Sequence, residues 1–136
     1  MRYLIDTNIL IFIVSGDTEN ISRDVADLLF DYGNTLYTSS LSLMEIIYLM
    51  KAGKIKLKFK TAESLLDEIS NSMNIHILDT KPEHFRVYSK MQLAKGHRDQ
   101  IDHFIISQSI TEKIPLISSD GRFKEYKELD FIYNTR

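Results

Sequence analysis

Two periodicities alternate along the chain. Short runs rich in β-branched and aromatic residues predict strands over Arg2–Ile5, Thr35–Thr38, Asn74–Leu78, Pro115–Ser118 and Asp130–Tyr133. Between them, apolar residues recur at helical spacing, as in Val25, Leu28 and Leu29, then Leu43, Ile46, Ile47 and Met50, then Leu65, Leu66 and Ile69. Residues that open helices precede these stretches: Asp17 or Thr18, then Ser39 and Ser40, then Thr61. Asp79 precedes a further helix with Pro82 and Glu83 in its first turn, where proline geometry and the helix dipole both suit them. Gly16, Gly33, Gly53 and Gly96 follow helical stretches, where a left-handed residue closes a helix. Strands alternating with helices of this length imply βαβ units and a mainly parallel sheet of about five strands. With no repeat, linker or low-complexity stretch, a single α/β domain over 1–136 is expected.

Composition narrows the function classes. At 136 residues, 43% hydrophobic and 26% charged, the chain is suited to one folded core. It has no cysteine, which excludes disulfides, thiolate nucleophiles and thiolate metal sites. The longest apolar run, Ile9–Val14, is far short of the roughly 20 residues that span a bilayer. Arg2 and the residues after it begin like a signal peptide, but Asp6, Thr7 and Asn8 interrupt the run and no small-x-small cleavage site follows. The expectation is a cytoplasmic protein with no membrane partner. The net charge of −2 excludes a broadly basic nucleic-acid coat, but not nucleic acid as a substrate. The one charge run is Lys51–Lys60, with Ile55, Leu57 and Phe59 interleaved. It reads as a short amphipathic strand or as a loop with buried anchors. Its Lys54, Lys56 and Lys58 are candidate phosphate contacts, against the plainer reading of a solvated face.

The carboxylates carry the chemistry. Asp6 directly follows the strand Tyr3–Ile5, and Asp120 directly follows the run ending at Ser119. In open parallel sheets ligands bind beyond the carboxyl ends of strands where strand order reverses, so both can face one crevice. Each alone also suits a helix cap or a turn. Asp99 and Asp102 stand three apart on one face at the start of a helix spanning Gln100–Thr111. Ile106 and Ile110 continue that face and Ile101, Phe104 and Ile105 line the other, so these acids look towards protein. The helix dipole explains one acid there more easily than two. Glu45 lies mid-helix between Met44 and Ile46, where a carboxylate needs a partner or a metal. A capping box, Ser42-x-x-Glu45, is the competing account. Converging carboxylates repel unless a cation lies among them. Oxygen ligands without cysteine or paired histidines favour magnesium or manganese over zinc. Such clusters activate a water and steady the departing oxygen of a phosphodiester. The residues point to a metal-dependent phosphodiesterase.

Four segments in order also carry a family resemblance. Tyr3-Leu4-Ile5-Asp6-Thr7-Asn8, Ser39-Ser40-Leu41-Ser42-Leu43-Met44-Glu45, His97-Arg98-Asp99-Gln100-Ile101-Asp102-His103 and Leu116-Ile117-Ser118-Ser119-Asp120 together resemble the PIN domain. Within it, the chain is most similar to the VapC-type ribonuclease toxins of toxin–antitoxin pairs. The resemblance implies a three-layer sandwich whose mainly parallel sheet lies between helices, and an acidic pocket for Mg2+ or Mn2+. It implies RNA, commonly tRNA, as substrate, a homodimer, and a cognate antitoxin whose C-terminal segment lies across the pocket. By position, Asp6, Glu45, Asp102 and Asp120 match the acidic tetrad and Asp99 an additional acid. Asp6, Asp102 and Asp120 would be the direct metal ligands. Thr7, Asn8 and Ser118 match residues that orient the carboxylates. The toxins usually carry proline and phenylalanine between the two aspartates and arginine after the second, where this chain has Gln100, Ile101 and His103. That leaves open whether His103 replaces a cation that contacts phosphate or antitoxin.

Three rival readings remain. A haloacid dehalogenase-like phosphatase also begins with a strand-terminal aspartate, but needs a second one two residues on, where Asn8 stands. A response-regulator receiver needs paired acids near its start, and Asp6 has no acid beside it. A degenerate PIN-like module would bind RNA or protein without cutting, against which the intact carboxylates argue.

Overall fold

The computed structural model describes residues 1–135. Five strands, β1 (Arg2–Ile5), β2 (Thr35–Ser39), β3 (Ile75–Leu78), β4 (Leu116–Ser118) and β5 (Phe131–Tyr133), form one sheet in the order β3-β2-β1-β4-β5. Every pairing is parallel. The chain builds outwards from β1 on one side, then returns past it to add β4 and β5 on the other. The reversal of strand order therefore falls between β1 and β4, which is where a doubly wound sheet opens a crevice.

The residues of β1 show why helices cover both faces. Tyr3 and Ile5 belong to one apolar cluster and Leu4 to another, as the two-residue repeat of a strand requires. The first cluster takes Ile9, Leu10 and Val14 from α1 (Thr7–Val14), Val25 and Leu29 from α2 (Arg23–Leu29), and Leu43 and Ile46 from α3 (Ser40–Lys51). Leu65 of α4 (Ala62–Asp67) completes it with Ile69, in the π-helical turn that follows. The second cluster is built on Ile105 and Ile106 of α6 (Gln100–Glu112), with Leu116 and Phe123. Against α6 lies α5 (Pro82–Lys90), whose Phe85 and Tyr88 rings pack on Phe104. The result is the expected three-layer α/β sandwich. Among the described residues, no helix is long and apolar enough to cross a membrane.

Several predicted boundaries hold, and others shift for identifiable reasons. Ser39 caps α3 by accepting from the Leu41 N–H, and Thr61 caps α4 by accepting from Ser64. Gly16 and Gly53, both at φ +68°, each follow a helix cap, as the left-handed closing position demands. Gly33 and Gly96 do not close helices. The Gly33 N–H donates to the Asp31 carboxylate in a turn four residues beyond α2, and Gly96 lies in the loop between α5 and α6. Asp17 and Thr18 open only a 3-10 turn, and α2 starts after Ser22. Likewise α5 starts after Lys81 rather than Asp79, with Pro82 at its first position. Asn74 is the left-handed exit from the preceding turn (φ 52°), so β3 begins one residue late. The Lys51–Lys60 run resolves as a loop with anchors. Ile55, Leu57 and Phe59 pack against the first cluster, while Lys54, Lys56 and Lys58 stand in solvent.

Candidate metal-binding active site

The crevice between β1 and β4 is floored by Asp6. Its backbone N–H reaches the Ile117 carbonyl at 2.9 Å, which locks the end of β1 onto β4. Its side chain then turns inwards and caps α1, with Oδ1 accepting from the Thr7 N–H at 2.8 Å. The other oxygen, Oδ2, accepts from the Ser118 hydroxyl at 2.7 Å and from Asn8 Nδ2 at 3.3 Å. Asn8 continues the brace, its Oδ1 accepting from the Ser119 N–H at 3.3 Å, and Ser118 Oγ accepts from the Asp120 N–H at 3.1 Å. Asn8 and Ser118 thus orient Asp6 and tie it to the strand end that carries Asp120. Thr7 acts on another residue. Its hydroxyl meets that of buried Ser42 at 2.8 Å and hydrogen-bonds Glu45.

Asp6 is only 2% exposed. Burial pushes its carboxyl up to about 7, the Asp102 charge adds to the rise, and the Ser118 and Thr7 hydrogen bonds oppose it. Asp102, at the start of α6, is pushed up to about 7 as well, first by burial and then by the charges of Asp99, Asp120 and Glu45. Burial also raises Glu45, with Thr7 opposing and the Asp99 charge adding. Asp120 goes the other way. Arg122 grips both its oxygens, Nη2 to Oδ2 at 2.7 Å and Nε to Oδ1 at 3.0 Å, and holds it below the usual carboxylate range.

Asp99 occupies the cap of α6. Its Oδ1 accepts from the N–H groups of Ile101 at 2.9 Å and Asp102 at 3.2 Å, and the residue is exposed. The capping role weighed for it is therefore real, while its charge still reaches Asp102 and Glu45. For Glu45 the capping-box account fails, because Ser39 caps α3 and Ser42 is committed to Thr7. His103 is not a surface cation. It is 1% exposed, burial and its neighbour His97 lower its proton affinity, and its Nε2 has no hydrogen-bond partner. It cannot meet phosphate or a partner protein from that position. Lys54, Lys56 and Lys58 lie on the loop after α3.

Two residues beyond the predicted set enter the site. His97 is 1% exposed and places Nε2 3.1 Å from Asp102 Oδ2, and Arg122 holds Asp120 as described. His97 precedes Asp102 by five residues across a loop, a spacing with no local periodicity to mark it. Arg122 stands two after Asp120, and only that spacing hinted at the pairing. One donor atom each from His97, Asp102 and Asp120 lie within 4.8 Å of one another, and Asp6 stands outside that set. The residues present fit a hard divalent cation. Burial and neighbouring carboxylates make Asp6 and Asp102 hold their protons to about neutrality, and the donors are oxygen and imidazole without thiolate.

A parallel α/β sandwich with carboxylates gathered where its strand order reverses defines an acidic-crevice class of fold. The PIN domain model matches residues 3–129, and the chain belongs to the PIN domain family. No curated protein matches it in sequence. Several solved structures are similar in fold, three of which follow. VapBC2 from Rickettsia felis, bound to a DNA fragment from its promoter, aligns with TM-score 0.70 and 22% identity over 98% of each chain. VapBC-1 from nontypeable Haemophilus influenzae aligns with TM-score 0.67 and 18% identity over 100% of each. FitAcB from Neisseria gonorrhoeae aligns with TM-score 0.63 and 16% identity over 100% of this chain and 99% of the other.

Proposed function

We propose that this protein is a Mg2+- or Mn2+-dependent endoribonuclease, the VapC-type toxin of a toxin–antitoxin pair, with tRNA or another cellular RNA as substrate. The observation that carries the reading is the pair of aspartates, buried Asp6 and partly buried Asp102, whose carboxyls rise to about 7 at the reversal of strand order. Membership of the PIN family and the fold likeness to VapBC proteins support it.

Asp6, Asp102 and Asp120 would hold the cation, with Glu45 and Asp99 contributing directly or through water. A divalent ion bound there supplies the positive charge that eases ionisation of a water and release of the departing oxygen. The chain's own groups prepare the place. Ser118 and Asn8 fix the Asp6 carboxylate, Thr7 fixes Glu45, and Arg122 covers Asp120 with a cation of its own. Lys54, Lys56 and Lys58 contact RNA phosphates. Replacing all three should weaken binding across RNA sequences and flatten the dependence of log affinity on log salt by about 2, from roughly 0.7 per phosphate contact on a single strand.

The antitoxin and a second copy of the chain compete for the exposed side of α3. There Met44 and Tyr48 are 56% and 59% exposed, beside a groove lined by Leu43, Ile47 and Leu66. Ile55, Leu57 and Phe59, by contrast, are absorbed by the core. We read the chain as one domain over 1–136, acting in the cytoplasm. The decisive experiment incubates purified protein with RNA in Mg2+, in Mn2+ and in EDTA. Cleavage with either ion and none in EDTA is expected. RNA binding without cleavage under every condition would favour the degenerate module instead.

A further inference from the structure

A directed hydrogen-bond chain runs through the buried loop beside the acidic crevice. The Ala94 N–H donates to the Tyr126 hydroxyl oxygen at 3.1 Å. Tyr126 Oη lies 2.8 Å from His97 Nδ1, and His97 Nε2 lies 3.1 Å from Asp102 Oδ2. His97 is 1% exposed and Tyr126 7% exposed, so water does not compete for these contacts. A neutral imidazole carries one proton, and its neighbours decide on which nitrogen. Because the Tyr126 oxygen already accepts from Ala94, its own hydrogen is free to point at Nδ1. That leaves the His97 proton on Nε2, facing the carboxylate. The reverse tautomer would set two N–H groups against the Tyr126 oxygen and leave its hydroxyl hydrogen without an acceptor among the described residues.

The consequence falls on Asp102. Its Oδ2 is taken by His97, while its Oδ1 accepts no hydrogen bond among the described residues. The His97 ring is itself fixed, packed edge-on against His103 at 4.5 Å and tilted against Phe123 at 5.4 Å, with His103 hydrogen-bonded to the His97 backbone. We infer that His97 is a positioning residue, not a metal ligand: with Tyr126 behind it, its Nε2–H holds Oδ2 of Asp102 and leaves Oδ1 for the cation. The inference rests on the metal-dependent nuclease reading and adds to it the two residues that aim one of the carboxylates. Metal-binding groups are commonly held this way by partners that touch no metal themselves, and losing such a partner typically costs about 10- to 100-fold in metal affinity.

The test begins with the unaltered, metal-free protein at about pH 9, where the Asp102 carboxyl is ionised and faces His97 as a carboxylate, and long-range 1H–15N correlation identifies the His97 tautomer. The Nε2–H form is expected, and the Nδ1–H form would overturn the assignment. Mn2+ affinity is then measured by electron paramagnetic resonance of the free ion. Tyr126→Phe, which keeps the ring, and His97→Ala should each weaken binding about 10- to 100-fold. His97→Gln, whose amide can still donate to Asp102, should stay within about threefold of the wild type. A His97→Gln loss as large as that of His97→Ala, with Tyr126→Phe unaffected, would make His97 a ligand and overturn the inference. If the wild type binds no Mn2+, the nuclease reading falls as well; the tautomer result bears on His97 alone.

Discussion

Asp6 and Asp99 each cap a helix with a carboxylate Oδ1, one at α1 and the other at α6, and each follows the expected preference for aspartate at that position. Their surroundings differ. Asp6 is buried at the end of β1, with Ser118 and Asn8 on its second oxygen, whereas Asp99 stands in solvent at the end of a loop. Capping therefore fixes where a carboxylate sits without fixing its proton affinity. At Asp6, burial and the neighbouring Asp102 push the carboxyl up to about 7, far from where an ordinary cap titrates. The same position ahead of a helix serves helix stability at Asp99 and charge concentration at Asp6.

The largest effect that separates the two aspartates is on cleavage. Asp6→Asn keeps the cap, since asparagine caps as well as aspartate, and removes the charge. A cation centre contributes several kcal/mol of charge stabilisation to a phosphodiester reaction, so its loss should lower the rate about a thousandfold or more. Single-turnover cleavage of RNA in Mn2+ measures it. A loss of less than about tenfold would return Asp6 to the role of an ordinary cap.

Next in size is the pH dependence of the metal-free protein. Asp6 has a folded value of about 7 against an ordinary 3.8, so between about pH 4 and 7 the folded state binds more protons than the unfolded one. Stability then falls as pH rises through that window. His97 and His103 oppose this trend, because burial lowers both and charging them favours the unfolded chain at low pH. The difference between Asp6→Asn and wild type isolates the aspartate. It should be near zero at pH 4 and reach several kcal/mol in favour of the variant at pH 8. Saturating Mg2+ or Mn2+ should stabilise the wild type at pH 8 and erase much of that gap. Chemical denaturation across the range reads both, and a variant less stable than wild type at pH 8 would contradict the crowded-charge account.

Much of this contrast can be read from the sequence, and the unreadable part has a physical cause. Strand ends were legible because Tyr3-Leu4-Ile5 and Leu116-Ile117 are apolar runs buried on both faces, and polar residues stop them. Asp6 and Asp120 follow from that, as does Ser39 before α3. The states of those carboxylates were not legible. Arg122 neutralises Asp120 through a side-chain rotamer, and His97 reaches Asp102 only because Tyr126, 29 residues further on, folds back behind it. Periodicity reports which face of an element is apolar, so it is silent about a buried polar chain assembled from two loops. His103 answers a question that the sequence left open, whether it stands in for the arginine usual in the resembling toxins: one residue along a helix from Asp102 turns its side chain by about 100°, into the core.

The smallest effect, and the sharpest for the comparison, is at Asp99. Two substitutions separate its cap from its charge. Asp99→Asn retains an oxygen for the N–H groups of Ile101 and Asp102, so thermal stability should match the wild type. Asp99→Ala loses that oxygen and should cost about 1 kcal/mol. Cleavage should respond to charge rather than cap. If Asp99 joins the cation shell through water, both variants should cut RNA about tenfold more slowly, and by the same factor. Should Asp99→Asn cut as fast as the wild type while Asp99→Ala merely unfolds more readily, Asp99 is a cap and nothing more. The acidic centre would then consist of Asp6, Glu45, Asp102 and Asp120. Of the two capping aspartates, only the one that burial isolates from water would take part in the chemistry.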